Sequence, residues 1–97
     1  MRFRERDIEA FWIDCNRFKP RRAPPDLHKS LFRKLQMLDA AEASGSLNDL
    51  RVPPSNHLER LSGDREGRYS IRVNRQWRLC FAWTPYGIEG VELVDYH

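Results

Sequence analysis

Residues 61–83 read LSGDREGRYSIRVNRQWRLCFAW. Tyr69, Ile71 and Val73 alternate with Ser70, Arg72 and Asn74. Trp77, Leu79, Phe81 and Trp83 alternate with Arg78, Cys80 and Ala82. Successive side chains of a strand point to opposite faces, so this period of two predicts paired strands with one apolar and one polar face each. Asn74-Arg75-Gln76 lies between them as the turn, with Asn74 tolerating positive φ. The stretch is therefore expected to be a hairpin with a core face and a wet, arginine-bearing face, as in an antiparallel sheet solvated on one side. A wet face carrying arginines is a seat for an anionic ligand.

The charge distribution extends that reading. The chain has 97 residues, with 17 Lys+Arg, 14 Asp+Glu and a net charge of +3. Arg60 to Arg78 holds six arginines (Arg60, Arg65, Arg68, Arg72, Arg75, Arg78) and only Asp64 and Glu66, whereas residues 79–97 hold no Lys or Arg. Clustered arginine is the footprint of phosphate binding, and a solvated basic face is the competing reading. This length predicts one domain, residues 1–97, stabilised mainly by a single helix-on-sheet layer. Cys15 and Cys80 are far apart and form no C-x-x-C, so both are expected as reduced, largely buried thiols. Residues 1–7 are charged and lack the apolar core of a secretory signal. No apolar run reaches the ~20 residues needed to span a bilayer. A cytoplasmic protein with no membrane partner is expected.

Outward from the hairpin, the chain alternates helix and turn signals. Arg2-Phe3-Arg4 is a candidate edge strand. Asp7 offers an N-cap, and Ile8, Phe11, Trp12, Cys15 and Phe18 then recur with helical spacing up to Pro20. Lys19 to Arg22 is a basic loop, read either as a solvated connector or as a clamp for an RNA backbone. Pro24-Pro25-Asp26 opens a second helix with Leu27, Leu31, Leu35, Leu38 and Ala41 as its core stripe, closed by Ser44-Gly45. The two helices are expected as a hairpin joined by a short turn and laid on a sheet. One more helical turn is expected at Leu47–Leu50, a short strand at Leu58–Leu61, and a last strand at Ile88–Val94. The predicted class is α+β: two N-terminal helices on a curved, mainly antiparallel sheet of four or five strands.

The final residues, Asp95-Tyr96-His97, put a carboxylate, a phenol and an imidazole together, enough for proton transfer near neutral pH. Cleaving an RNA phosphodiester requires removing a proton from the 2′-OH, giving one to the 5′-oxygen, and positive charge around the phosphate. Arginine meets the last requirement with paired donors. Glu59 is a further candidate base, or else an ion-pair partner of Arg60 or Arg65. His57 shares its face if the segment is a strand. No spacing in the chain suits a metal, and neither metal nor cofactor is expected.

The run G-D-R-E-G-R-Y-S-I-R-V-N-R-Q-W-R-L-C-F at Gly63–Phe81, the terminal V-D-Y-H, and P-P-D-L-H-K and K-L-Q-M-L-D-A in the second helix resemble the HigB-like toxins of the RelE/ParE superfamily. The resemblance covers nearly the whole chain. It implies a RelE-like fold and a ribosome-dependent mRNA endonuclease that cuts translated message in the ribosomal A site without a metal. It also implies a HigA-like helix-turn-helix antitoxin, with the pair binding operator DNA. By position, Asp95, Tyr96 and His97 match the family's C-terminal catalytic group, and Arg78 matches the strand arginine that contacts the scissile phosphate. Arg72 is expected to hold phosphate as well, with Arg65, Arg68 and Arg75 gripping RNA backbone. Some members carry a histidine four residues before the G-D-R glycine and a lysine just before it. This chain has Glu59 and Ser62 there, so Glu59, His57 or the C-terminal group alone must serve. The same superfamily includes ParE-type inhibitors of DNA gyrase, and a degenerate toxin acting only as a binding module is a third reading. If Arg78 is an exposed strand residue, its replacement by alanine should lower cleavage with little loss of fold.

Overall fold

A computed structural model describes residues 1–63 and 67–96. Helix α2 (His28–Ser44) is the main element of the helical layer. Its leucine stripe is buried as the spacing predicts: Leu31, Leu35, Leu38 and Ala41 are at most 1% exposed. Each fully buried leucine contributes about 1.5–3 kcal/mol. A 3-10 turn, Pro25–Leu27, leads into the helix. Gly45 ends it at φ +73, where its N–H and that of Ser46 both reach back to the Ala41 carbonyl. That left-handed closure suits glycine.

Helix α1 (Arg6–Ile13) is shorter than its apolar spacing suggests. Asp14 turns to φ −147, ψ 87, and Phe18 stands exposed beyond the helix. Glu5 occupies the N-cap position, while Asp7 accepts N–H bonds from Ile8 and from Arg21 in the following loop. Because α1 stops early, a long connection (residues 14–27) joins the helices in place of a short turn.

The sheet is antiparallel, in the order β1 (Glu59–Arg60), β2 (Arg68–Arg72), β3 (Trp77–Thr84), β4 (Gly87–Asp95). Ile71, Leu79, Phe81, Val91 and Leu93 join Ile8, Phe11 and the α2 stripe in one core. Tyr69 and Trp83 lie at its margin, half-buried. The expected strand at residues 58–61 is reduced to Glu59–Arg60. The turn at 74–76 works differently from the expectation. Asn74 is not at positive φ; its Oδ1 accepts the N–H groups of Gln76 and Trp77 (2.8 Å each). Among the described non-glycine residues, only His57 has positive φ, at 44.

The outer edge of β4 is covered. Phe3 bridges Val91 in parallel, a single bridge where a strand was expected. Beyond it, the Glu5 carboxylate accepts the Leu93 N–H and Arg22 donates to the Leu93 carbonyl. Covering an edge removes a template for pairing with another chain. Arg22 of the basic loop also pairs with Glu5.

Glu42 joins the chain's start to β4. Its carboxylate accepts from the Met1 ammonium (2.9 Å) and from the Ile88 N–H (2.7 Å). Gly87 sits at φ +119, which favours glycine, and a Cβ there would lie 2.6 Å from Glu42 Oε2 and push the carboxylate aside. Burial would raise the Glu42 carboxyl, but the ammonium and the Ile88 amide outweigh it and hold it below the usual carboxylate range. A carboxyl depressed in the fold stabilises above its unfolded value, about 4.3, and that contribution is lost as pH falls through the lower folded value. We therefore expect Glu42→Gln to flatten the acid limb of a melting-temperature profile. An acid limb identical to wild type would show that Glu42 does not contribute to it.

Candidate functional site

The face opposite the core carries the candidate residues. Strand pairing aligns Glu59 with Ser70, Ser70 with Cys80, and Cys80 with Glu92 across the sheet. The next row aligns Arg72 with Arg78 and Arg78 with Val94. Like charges directly opposite one another across an antiparallel pair destabilise it, so Arg72 facing Arg78 is an arrangement that an anion would relieve.

This face is less wet than its polar residues suggest. Arg78 is only 5% exposed, and Ser70 and Cys80 are buried. The 3-10 turn Pro54–Asn56 and the residues after it cover Arg78. Arg78 Nε donates to Ser70 Oγ at 2.9 Å, and its NH2 group donates to the carbonyls of His57 and Ser70. Its NH1 group lies 3.8 Å from the Glu59 carboxylate, which is half-exposed. Its Cζ sits 5.7 Å from the centre of the Tyr96 ring. The guanidinium is thus held from behind by neutral acceptors and faces a carboxylate and a phenol in front. The expectation of an exposed Arg78 whose replacement costs the fold little is corrected: alanine here would strand the buried Ser70 hydroxyl. Glu59 pairs with Arg78, not with Arg60.

The turn that closes the hairpin also places the C-terminal residues. Gln76 O accepts the Tyr96 N–H at 2.6 Å, and Gln76 Nε2 donates to Asp95 Oδ2 at 3.1 Å. Asp95 is the register partner of Trp77. Arg75 is exposed in this turn and Arg72 is half-buried. Arg68 stands apart: it donates to Gly90 O at 3.0 Å and lies 3.9 Å from Glu92. Gly90, at φ +64, leaves room for that guanidinium beside the irregularity between β3 and β4. His97 and Arg65 lie outside the described residues.

Several residues that build the site were not singled out by sequence reasoning. Ser70 looked like one more polar strand position. Asn56 is fully buried, donating to the Leu50 and Val52 carbonyls and accepting from Lys34 Nζ at 2.6 Å. It fixes the turn from which the next residue, His57, presents its carbonyl to Arg78. His57 therefore contributes backbone, and its αL conformation keeps it off a common strand face with Glu59. Burial, then the Arg33 charge, lowers the affinity of Lys34 for its proton. A local signal existed only for Asn56, which follows Pro53-Pro54 in a turn-forming context. Among the described residues no cluster of His, Cys, Asp and Glu could hold a metal ion, and no helix is long and apolar enough to cross a membrane.

Comparison with known proteins gives the family. The model of the RelE-like toxin of type II toxin–antitoxin system HigB matches residues 1–97. The chain belongs to the HigB family of RelE-like toxins. The α+β architecture, helices against an antiparallel sheet that does not close, is consistent with that fold. Toxin HigB-1 of Vibrio cholerae is 43% identical over 96 residues, covering 99% of this chain and 92% of that protein. An uncharacterized protein of Haemophilus influenzae is 48% identical over 70 residues, covering 72% of this chain and 66% of its own length. Endoribonuclease HigB of Proteus vulgaris is 36% identical over 64 residues, 66% of this chain and 65% of that protein. A toxin of a type II system has an antitoxin as its partner.

Proposed function

We propose that this HigB-family toxin is a ribosome-dependent endoribonuclease that cleaves translated mRNA in the ribosomal A site. The observation that carries the reading is Arg78. A buried guanidinium, fixed by Ser70 and the His57 carbonyl, presents its remaining edge between Glu59 and Tyr96. A phosphate oxygen can take the place facing NH1 and gains charge-assisted hydrogen bonds there. Arg72, directly opposite, adds a second cation to that side of the sheet.

In the proposed reaction the 2′-oxygen attacks phosphorus and the bond to the 5′-oxygen breaks. A base takes the 2′ proton and an acid supplies one to the leaving oxygen. Glu59, Tyr96 and His97 are the candidates for those two roles, with Asp95 orienting Tyr96 or His97. Arg78 stabilises the charge that builds on the phosphoryl oxygens. Arg75 and Arg65 hold flanking backbone, and Arg68 contributes to the field of that face. The antitoxin is of the HigA helix-turn-helix type, and the complex binds its operator DNA.

The decisive experiment induces the wild type and a Tyr96→Ala/His97→Ala variant and maps message ends on translating ribosomes. Codon-phased cuts are expected from the wild type alone, with free RNA a poor substrate, because attack requires the nucleotide held in line. Growth arrest that persists in the double variant without cuts would overturn the reading in favour of a non-enzymatic inhibitor.

A further inference from the structure

The helical layer carries a second surface that the cleavage reaction does not use. A groove of about 540 Å³ runs between α1 and α2. Phe11, Cys15 and Phe32 give it an apolar floor, and Lys19, Lys29 and Arg33 line it with positive charge. None of the described residues lining it is acidic. Phe32 packs edge-on against Phe11 (5.6 Å between ring centres) and tilted against Trp12 (5.4 Å). Lys19 Nζ is tied to the Cys15 carbonyl at 2.6 Å. Where α1 ends, Ile13 is 74% exposed and Phe18 43%, two large apolar side chains in water that stand within two positions of Cys15 and Lys19 in the chain without lining the groove. Exposed apolar surface rimmed by polar groups marks a site of interaction.

We infer that this groove docks an acidic amphipathic helix of the antitoxin. The inference rests on the family's antitoxin partner and not on the nuclease chemistry. A cleft between two helices accepts a third that lays its apolar side on the floor. Carboxylates flanking that side would meet Lys29 and Arg33, which lie one turn apart on the exposed face of α2. An RNA backbone would use the cations but leave the aromatic floor and Ile13 uncovered. The groove is built from helices on the core side of the sheet, whereas Arg78, Ser70 and Glu59 lie on the other face.

The test measures binding of the full-length chain to its purified antitoxin. Lys29→Glu/Arg33→Glu should weaken binding by roughly 30-fold or more, since reversed rim charges repel the partner as well as losing attraction. The fold should survive, because both positions are exposed and a glutamate at residue 29 suits the first turn of a helix. Circular dichroism and message cleavage by the free toxin should match wild type. Charge-reversed antitoxin variants, lysine for glutamate, should restore affinity. Cys15 gives a second readout, being half-exposed while Cys80 is buried. A maleimide should label Cys15 in the free chain and be excluded in the complex. Unchanged affinity, or equal labelling with and without antitoxin, overturns the proposal. So does a fall in ribosomal cleavage with antitoxin affinity intact, which would assign the groove to RNA. If the wild type fails to cleave message yet the groove variant still loses its antitoxin, the nuclease reading falls and this one stands.

Discussion

Arg78→Ala is expected to abolish cleavage and to destabilise the fold together. The side chain is 5% exposed and donates to Ser70 Oγ and to the His57 and Ser70 carbonyls. Its removal takes the donor from the buried Ser70 Oγ and from the two carbonyls, at about 3 kcal/mol in total by the cost of unsatisfied buried polar groups. For a domain of this size that is roughly a 12–24 °C drop in melting temperature. Loss of activity in this variant alone would therefore be ambiguous, and Arg78→Lys separates the two effects. Lysine keeps the charge but lacks the planar fork that reaches Ser70 and a phosphate together. Cleavage should fall by about a hundredfold or more, as for loss of one oriented donor to a reacting phosphate or carbonyl, while the melting temperature falls less than in the alanine variant. Ribosomal cleavage assays with parallel thermal melts check both. Wild-type cleavage by the lysine variant would remove Arg78 from the reaction.

Asn56→Ala should produce the second large effect, although Asn56 lies outside the reacting groups. Its amide holds the Leu50 and Val52 carbonyls, and its oxygen receives Lys34. Alanine leaves two carbonyls and a half-buried ammonium without that partner, a loss of about 2–4 kcal/mol by the cost of unsatisfied buried polar groups. The turn before β1 would then lose its anchor, and the His57 carbonyl and Glu59 would no longer be held against Arg78. We expect a melting temperature lower by roughly 8–30 °C and, in the material still folded at low temperature, a cleavage rate reduced by about tenfold or more, on the scale of misplacing a positioned group. A melting temperature within a degree or two of wild type would show that the turn is held by other contacts.

These two residues mark how far the amino-acid pattern carries. The hairpin at 68–84, the leucine stripe of α2 and its closure at Gly45 were legible because each is set by local periodicity or by one backbone conformation. The end of α1 was not. Its apolar spacing runs on to Phe18, but Asp14 leaves helical geometry and Asp7 reaches across to the Arg21 amide. Beyond α1 the Asp14 carbonyl accepts the Arg17 and Phe18 N–H groups, and the Asp14 side chain accepts from Arg17 as well, a turn in place of a further helical turn. The residue types of the candidate site were legible too, as arginines on one strand face and a tail, Asp95-Tyr96-His97, whose groups are able to carry protons. Their arrangement was not. Period two says that Ser70, Arg72 and Arg78 point away from the core; it does not say that the turn at residues 54–57 reaches back to Arg78.

What the sequence determined by itself was membership in the HigB family, the helix and strand faces, and the chemical kinds available at the site. All of these depend on residues close together in the chain or on the motif as a whole. Only the tertiary structure decided that Arg78 is buried, that Glu59 is its ion partner, that Gln76 pins Asp95 and Tyr96, and that a buried asparagine holds the turn above them. Apart from the bonds of Asn56 to Leu50 and Val52, those contacts join residues 19 to 22 positions apart, where burial and the need to satisfy every enclosed polar group choose the partners. The charge run from Arg60 to Arg78 looked uniform in sequence. In the fold the described arginines diverge: Arg72 and Arg78 face each other across two strands, Arg68 bonds the Gly90 carbonyl, and Arg60 and Arg75 are exposed.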